Sequence, residues 1–212
     1  LPDYISYRLT GRAAMDPSTG TTTGWYADGA AGPCVVALAA AGIGVDQVGD
    51  VVPSGKPIAS VRPAAAREWG LSADTLLVSG TNDQFAGALG AGNCRPGILS
   101  ETTGTCLALV TLMKSLPSPV PPGLLGGRFV VEPYQYALAY SKTAGVVLNW
   151  FRREFAGDMS LAELDKLAAK VPIGSRGVSM LPHFDGMVSP DPDPRMRGIF
   201  ANVAIQHARA DL

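Results

Sequence analysis

VSGTNDQFAGALGAG, residues 78–92, is the stretch whose reading decides the fold. Upstream, TLLVSG is a short β-branched and leucine run closed by Gly80, the pattern of a buried strand in an α/β sheet. Downstream, FAGALGAG reads as a small-residue helix whose glycines and alanines allow close approach to a neighbour, and NCRPG breaks it near Asn93. Asp83 is thus a carboxylate placed just after a strand and at a helix start. Ligands in open α/β sheets sit outside the carboxyl ends of strands, where an aspartate can act as general base on a hydroxyl or as a metal ligand. The competing reading is that Asp83 simply caps the helix with its oxygens.

Around this stretch the chain alternates in type. PDYISYRLTG predicts a helix ended by Gly11, PCVVALAAAG one with Pro33 in its first turn and Gly42 closing it, and VRPAAAREWGL one ended by Gly70. GILSETTGTCLALVTL predicts a β-hairpin about a Thr-Gly-Thr turn. SLPSPVPPGLLGG predicts a loop, and RFVVEPYQYALAYS a strand pair. GVVLNWFRREF is an amphipathic helix offering Val147, Trp150, Phe151 and Phe155 to a core. SLAELDKLAAK carries a capping box from Ser160 to Glu163. DPSTGTTTG, residues 16–24, has the flavour of a phosphate loop, but no buried strand precedes it and its spacing is long, so a solvated or hinge loop is expected.

Composition removes several classes of function. With 212 residues, 47% of them hydrophobic and 17% charged, the chain has the material for a core and too little charge for disorder. A net charge of -1 leaves no basic excess for nucleic acid or an anionic membrane, and no apolar run approaches a membrane span. A cytoplasmic protein that binds small molecules is the expectation. Cys34, Cys94 and Cys106 form no C-x-x-C pair and read as small buried hydrophobes. His183 and His207 have no ligand-spaced partners, so neither a zinc site nor a Ser/His/Asp triad is assembled. An α/β hydrolase built on Asp83 therefore ranks low.

Two further stretches can bind anions. Gly104, between Thr103 and Thr105, permits a tight turn whose amides and hydroxyls could cradle phosphate, against the plainer reading of an ordinary hairpin turn. Gly145 opens a helix, where amides and dipole favour negative charge.

In order and spacing, GTNDQFAGALGAG, GILSETTGTCLAL, AGVVLNW and LPHFDGMVSPDPDPRMRGIF resemble the FGGY family of carbohydrate kinases, in particular its xylulokinase-like members. DYISYRLTG with MDPS resembles the family's late first-domain helix and the segment after it, so the resemblance covers nearly all of the chain. It implies an α/β fold related to actin, hexokinase and the Hsp70 ATPase, with sugar and ATP between two domains. Residues 1–93 would be the C-terminal part of the first, sugar-binding domain, and 94–212 the N-terminal part of the second, nucleotide-binding domain.

The resemblance also implies roles. Asp83 matches the catalytic base, Gln84 a neighbour that contacts sugar in some members, Gly104 and Thr105 the turn at the nucleotide's terminal phosphates, and Gly145 and Asn149 positions on the nucleotide side. ATP with Mg2+ is the implied cosubstrate, and a homo-oligomer is compatible. The family's N-terminal Asp-x-Gly-Thr-Thr/Ser segment and its later Gly-Gly-rich adenosine motif are absent. Asp185, Gly186, Met187 and Val188 stand where many members have Gly-Glu-Arg. A chain that starts at Leu1 rather than Met and stops at Leu212 within an apparent helix is expected to be an excerpt, poorly soluble by itself. Its alternative function is that of a non-catalytic sugar- or nucleotide-binding remnant.

Overall fold

A computed structural model describes residues 1–26 and 32–212. The chain folds into two compact units: Leu1–Ser100 with Val110–Ser118 and Leu125–Ala137, and Glu101–Leu109 with Pro119–Leu124 and Leu138–Leu212. A four-stranded sheet of β5 (Leu99–Thr103), β6 (Leu107–Met113), β8 (Gln135–Ser141) and β7 (Leu124–Arg128), in that order, contributes residues to both.

In the first unit, α1 (Pro2–Thr10) has proline in its first turn and ends at Gly11, whose φ of 84° is left-handed, as its sequence predicts. Leu9 packs with Val61, Ala65 and Ala66, the last two on α4 (Pro63–Trp69), which Gly70 closes in the same way. Two small sheets lie nearby in the chain. β1 (Ala14–Met15) pairs in parallel with β2 (Asp50–Val51), and β3 (Pro57–Ser60) pairs antiparallel with β4 (Leu76–Val78). The buried side chains Ala14 of β1, Ile58 of β3 and Val52, just after β2, meet Leu77.

Several expectations change here. TLLVSG is a strand, but only Leu77 faces inward, and Leu76 and Val78 are 53% and 48% exposed. A three-residue strand paired along one edge alternates its side chains and buries a single face, whatever its composition. DPSTGTTTG is not a solvated loop. Asp16 caps α2 (Pro17–Thr22) by accepting from the Thr19 amide at 3.0 Å, Pro17 takes the first helical turn, and both Asp16 and Ser18 are buried. The buried pair Ala14–Met15 is the strand before it. α3 (Val35–Ala40) is shorter than expected, because Pro33 lies opposite Tyr26 in an isolated bridge and Cys34 occupies the cap position. The predicted loop after Ser115 turns into strand at Leu124, since Gly127 lets β7 lie against the Tyr136 ring, 3.0 Å from where a Cβ would be.

α5 (Asp83–Gly90) is anchored by Phe85, 1% exposed, which meets Phe129 edge-on at 5.9 Å and Tyr136 at 4.1 Å between ring centroids. Asn93, fully buried, donates its Nδ2 to the Val110 carbonyl at 2.8 Å and to Ser100 Oγ at 3.0 Å.

The second unit contains α6 (Gly145–Phe155), α7 (Leu161–Ala168) and the antiparallel pair β9 (Ser179–Leu181) and β10 (Ile199–Ala201), and a chain of rings runs from α6 to β10. Trp150 touches Phe155 and Phe184, Phe151 touches Phe155 and Phe200, and Phe184 touches Phe200, with centroids 4.6 to 6.3 Å apart. Of the core set expected from α6, Val147 is buried whereas Phe155 is 47% exposed. The Ser160–Glu163 capping box forms as expected, with the Glu163 carboxyl held below its usual range by the Ser160 amide. The chain's last residues form one 3-10 turn, Arg209–Asp211, rather than the helix read from sequence.

That turn carries a titratable tie. Asp211, 2% exposed, accepts the Ala208 amide at 2.8 Å and Arg176 Nη1 at 2.5 Å. The amide first, and then the Arg176 charge, outweigh burial and hold its carboxyl below the ordinary aspartate value. A lowered folded-state value stabilises the fold above the unfolded group's titration and loses that contribution as pH falls through the folded value. Urea midpoints of the native chain are therefore expected to drop as pH falls below 3.8, the ordinary aspartate value. Asp211→Asn should be less stable at neutral pH and show a flatter acid limb; parallel curves would exclude the tie.

Candidate functional site

Asp83 sits at the first position of α5 and is exposed, and it is not the cap. Asn82 caps the helix. Its Oδ1 accepts the Gln84 amide at 3.0 Å, and Asp83 Oδ1 shares that amide at 2.8 Å. The competing reading of Asp83 as a cap is thus borne out in part, since one of its oxygens shares the Gln84 amide with Asn82, and the second Asp83 oxygen lies outside these bonds. Gln84 is half-buried, with a buried Oε1 that has no hydrogen-bond partner.

Behind this turn lies a network that the sequence reading missed. Ser18 Oγ donates to Asp16 Oδ1, accepts the Asn82 amide at 3.1 Å and lies 2.9 Å from Thr81 Oγ1. The signal was present in Asp-Pro-Ser, a helix-cap signature, but nothing local links residue 18 to residue 82. Pro17 and Ser18 also form part of the wall of a cavity of about 660 Å3, with Lys56, Lys114, Arg128 and Glu132.

In the second unit the structure brings Gly104, Thr105 and Gly145 together. The Gly145 amide donates to the Gly104 carbonyl at 2.8 Å, and those of Ala144 and Val146 donate to the Thr105 carbonyl at 3.3 Å each. The first amides of α6 are thereby engaged by the turn, so an anion at this helix start would have to compete with protein carbonyls for them. A Cβ on Gly145 would collide with the Gly104 carbonyl, whereas one on Gly104 would meet nothing within 4 Å. Gly145 is therefore required by close approach. Asn149, one turn further along α6, is exposed and lines a separate cavity of about 280 Å3 with Trp150, Phe184 and Asp185. Cys106, next to the turn, accepts from the Tyr140 hydroxyl at 3.0 Å, a bond that pushes the Tyr140 phenol up.

The cysteines do not behave as three buried hydrophobes: Cys34 and Cys106 are half-buried and Cys94 is exposed, beside the turn that ends α5. Among the described residues, no group of three His, Cys, Asp or Glu could hold a metal ion, and no helix is long and apolar enough to cross a membrane.

Comparison with known proteins agrees with this architecture. Residues 1–90 match the N-terminal domain of the FGGY family of carbohydrate kinases. The chain is 29% identical over 168 residues to a xylulose kinase of Staphylococcus epidermidis, covering 77% of this chain and 34% of that protein. It is 31% identical over 191 residues to an autoinducer-2 kinase of Escherichia coli, covering 84% and 36%. The crystal structure of xylulose kinase from Rhodospirillum rubrum superposes with a TM-score of 0.86 at 28% identity, over 99% of this chain and 42% of that one. The chain spans about a third of the length of the curated relatives it matches. Its mixed α/β structure is accordingly a part of the kinase fold. On the family match, the sequence relatives and the structural likeness together, the chain belongs to the FGGY family of carbohydrate kinases and is xylulose kinase-like.

Proposed function

We propose that the chain is part of an ATP-dependent kinase that phosphorylates a hydroxyl of a pentulose, hexulose or polyol. The observation that carries this reading is the Asp83 carboxylate, exposed at the first turn of α5, with one oxygen on the Gln84 amide and the other outside that bond. That second oxygen is available to accept a proton. In the reaction, the sugar hydroxyl oxygen bonds to the γ-phosphorus, the bond from that phosphorus to the β,γ-bridging oxygen breaks, and ADP leaves. Asp83 takes the hydroxyl proton. Gln84, adjacent to it, contacts the sugar.

On the nucleotide side, the Gly104–Thr105 turn faces the terminal phosphates, and Gly145 and Asn149 border the same substrate. Mg2+ would come with ATP, held mainly by the nucleotide's phosphates, since this ion uses at most one or two carboxylates in such sites. Residues 1–93 would belong to the sugar-binding domain, in keeping with the family match over 1–90, and 94–212 to the nucleotide-binding domain.

The test is a panel of pentuloses, hexuloses and polyols presented with MgATP to the complete gene product, with ADP release as readout. One sugar class is expected to exceed the others by at least about tenfold in kcat/KM, the discrimination available from one or two well-placed hydrogen bonds. ADP release that no sugar stimulates would refute the kinase reading.

A further inference from the structure

We infer that Asp16 and Ser18 are positioning residues for Asp83. The inference rests on the kinase reading above and adds to it a segment that no local motif connects with the base.

The wiring follows from proton counting. A serine hydroxyl has one proton to give and two lone pairs with which to accept. Asp16 Oδ1 can only accept, so the Ser18 proton goes to it. The Ser18 lone pairs then receive the Asn82 amide at 3.1 Å and the Thr81 hydroxyl at 2.9 Å, which makes Thr81 a donor. Asp16 Oδ1 also takes the Thr19 amide at 3.0 Å, so its carboxylate is fixed to the first turn of α2.

Two helix starts are thus joined back to back through one buried hydroxyl. On one side stand Asp16 and α2; on the other stand Thr81, Asn82 and, as the next residue, Asp83. Asp16 and Ser18 are 4% and 3% exposed, so water cannot replace the bonds if they are lost. Ser18 fixes the amide of the residue that caps α5, and the cap in turn fixes the peptide that carries the base. A general base works only within hydrogen-bond reach of its proton, and displacement by about 1 Å can cost on the order of a hundredfold in rate.

The test uses the complete gene product with its best sugar and MgATP. Three quantities are read: kcat, KM for ATP, and moles of sugar phosphate formed per mole of ATP consumed. Ser18→Ala is expected to lower kcat by roughly tenfold to a hundredfold. KM for ATP should stay within about twofold, because Ser18 touches none of the residues on the nucleotide side. Sugar phosphate per ATP should also fall, because a misdirected base lets water compete with the sugar for the phosphoryl group. Partial unfolding would lower kcat but leave that ratio unchanged.

Ser18→Thr, which keeps the hydroxyl, should restore most of both quantities. Equal losses in the alanine and threonine variants would indicate packing and overturn the inference, as would native kcat and coupling in Ser18→Ala. If Ser18→Ala does not fold, Thr81→Val removes one arm of the network only. Reduced coupling in that variant supports the positioning role, and native coupling refutes it. A wild-type enzyme without sugar-dependent turnover would bring down the kinase reading, and this inference with it.

Discussion

Asp83→Ala, made in the complete gene product, is expected to lower sugar-dependent ADP release by roughly two to four orders of magnitude, the usual contribution of a positioned general base. The fold should survive. Asp83 is exposed, and the Gln84 amide keeps its bond to Asn82 Oδ1 at 3.0 Å when the 2.8 Å bond to Asp83 is gone. Loss of a surface carboxylate near a helix start typically costs no more than about 1 kcal/mol, so the thermal midpoint should move little while turnover collapses. Asp83→Asn sharpens the comparison, because it keeps shape and hydrogen bonding but cannot take up the proton. Two outcomes contradict the assignment: turnover retained in both variants, or a loss of activity that tracks a loss of folded protein. Asn82→Ala should differ in kind, with stability falling by about 1 kcal/mol through loss of the cap and turnover falling less steeply than in Asp83→Ala.

The second large effect is expected at Gly145. Its Cα faces the Gly104 carbonyl so closely that a methyl group would overlap the oxygen, with the carbonyl carbon 3.3 Å away. The backbone cannot simply retreat, because Gly145, Ala144 and Val146 all donate to this turn. Gly145→Ala is therefore expected to cost about 2 kcal/mol, in the range for inserting a methyl group into a closely packed place. If the turn serves the terminal phosphates, KM for ATP should rise as well. Gly104→Ala is the matched control, since a Cβ there meets nothing within 4 Å. Equal melting curves for the two variants would show that the turn and the helix start are not locked together.

Helix ends were the most legible part of the fold. Gly11 and Gly70 both adopt the left-handed conformation that stops a helix, and Ser160 with Glu163 forms its reciprocal cap, because these devices act within a few residues. The existence of a strand before Asp83 and a helix after it was legible for the same reason. Burial was not. Leu76 and Val78 are as apolar as any core residue, yet their exposure depends on how many strands pair with β4, a property of the whole fold.

The site divides along the same line. Gly104, Thr105 and Gly145 could be named from turn and helix-start chemistry, but the Ser18 to Asn82 bond joins positions 64 residues apart, and no periodicity reports such a contact. As a phosphate loop, residues 16–24 fail on spacing. The helix cap that Asp-Pro-Ser encodes was there to be read, and it proves to be the anchor of the network.

The interleaving of the two units has a consequence for synthesis. Phe85, the side chain that seats the helix bearing Asp83, is covered by Phe129 and Tyr136, which lie beyond stretches belonging to the other unit. On the ribosome, α5 emerges well before the rings that complete its packing, and its apolar face must wait for them through most of the second unit's first segments. No single cut of the polypeptide yields either unit whole. Expression boundaries for this chain therefore have to be drawn around the pair.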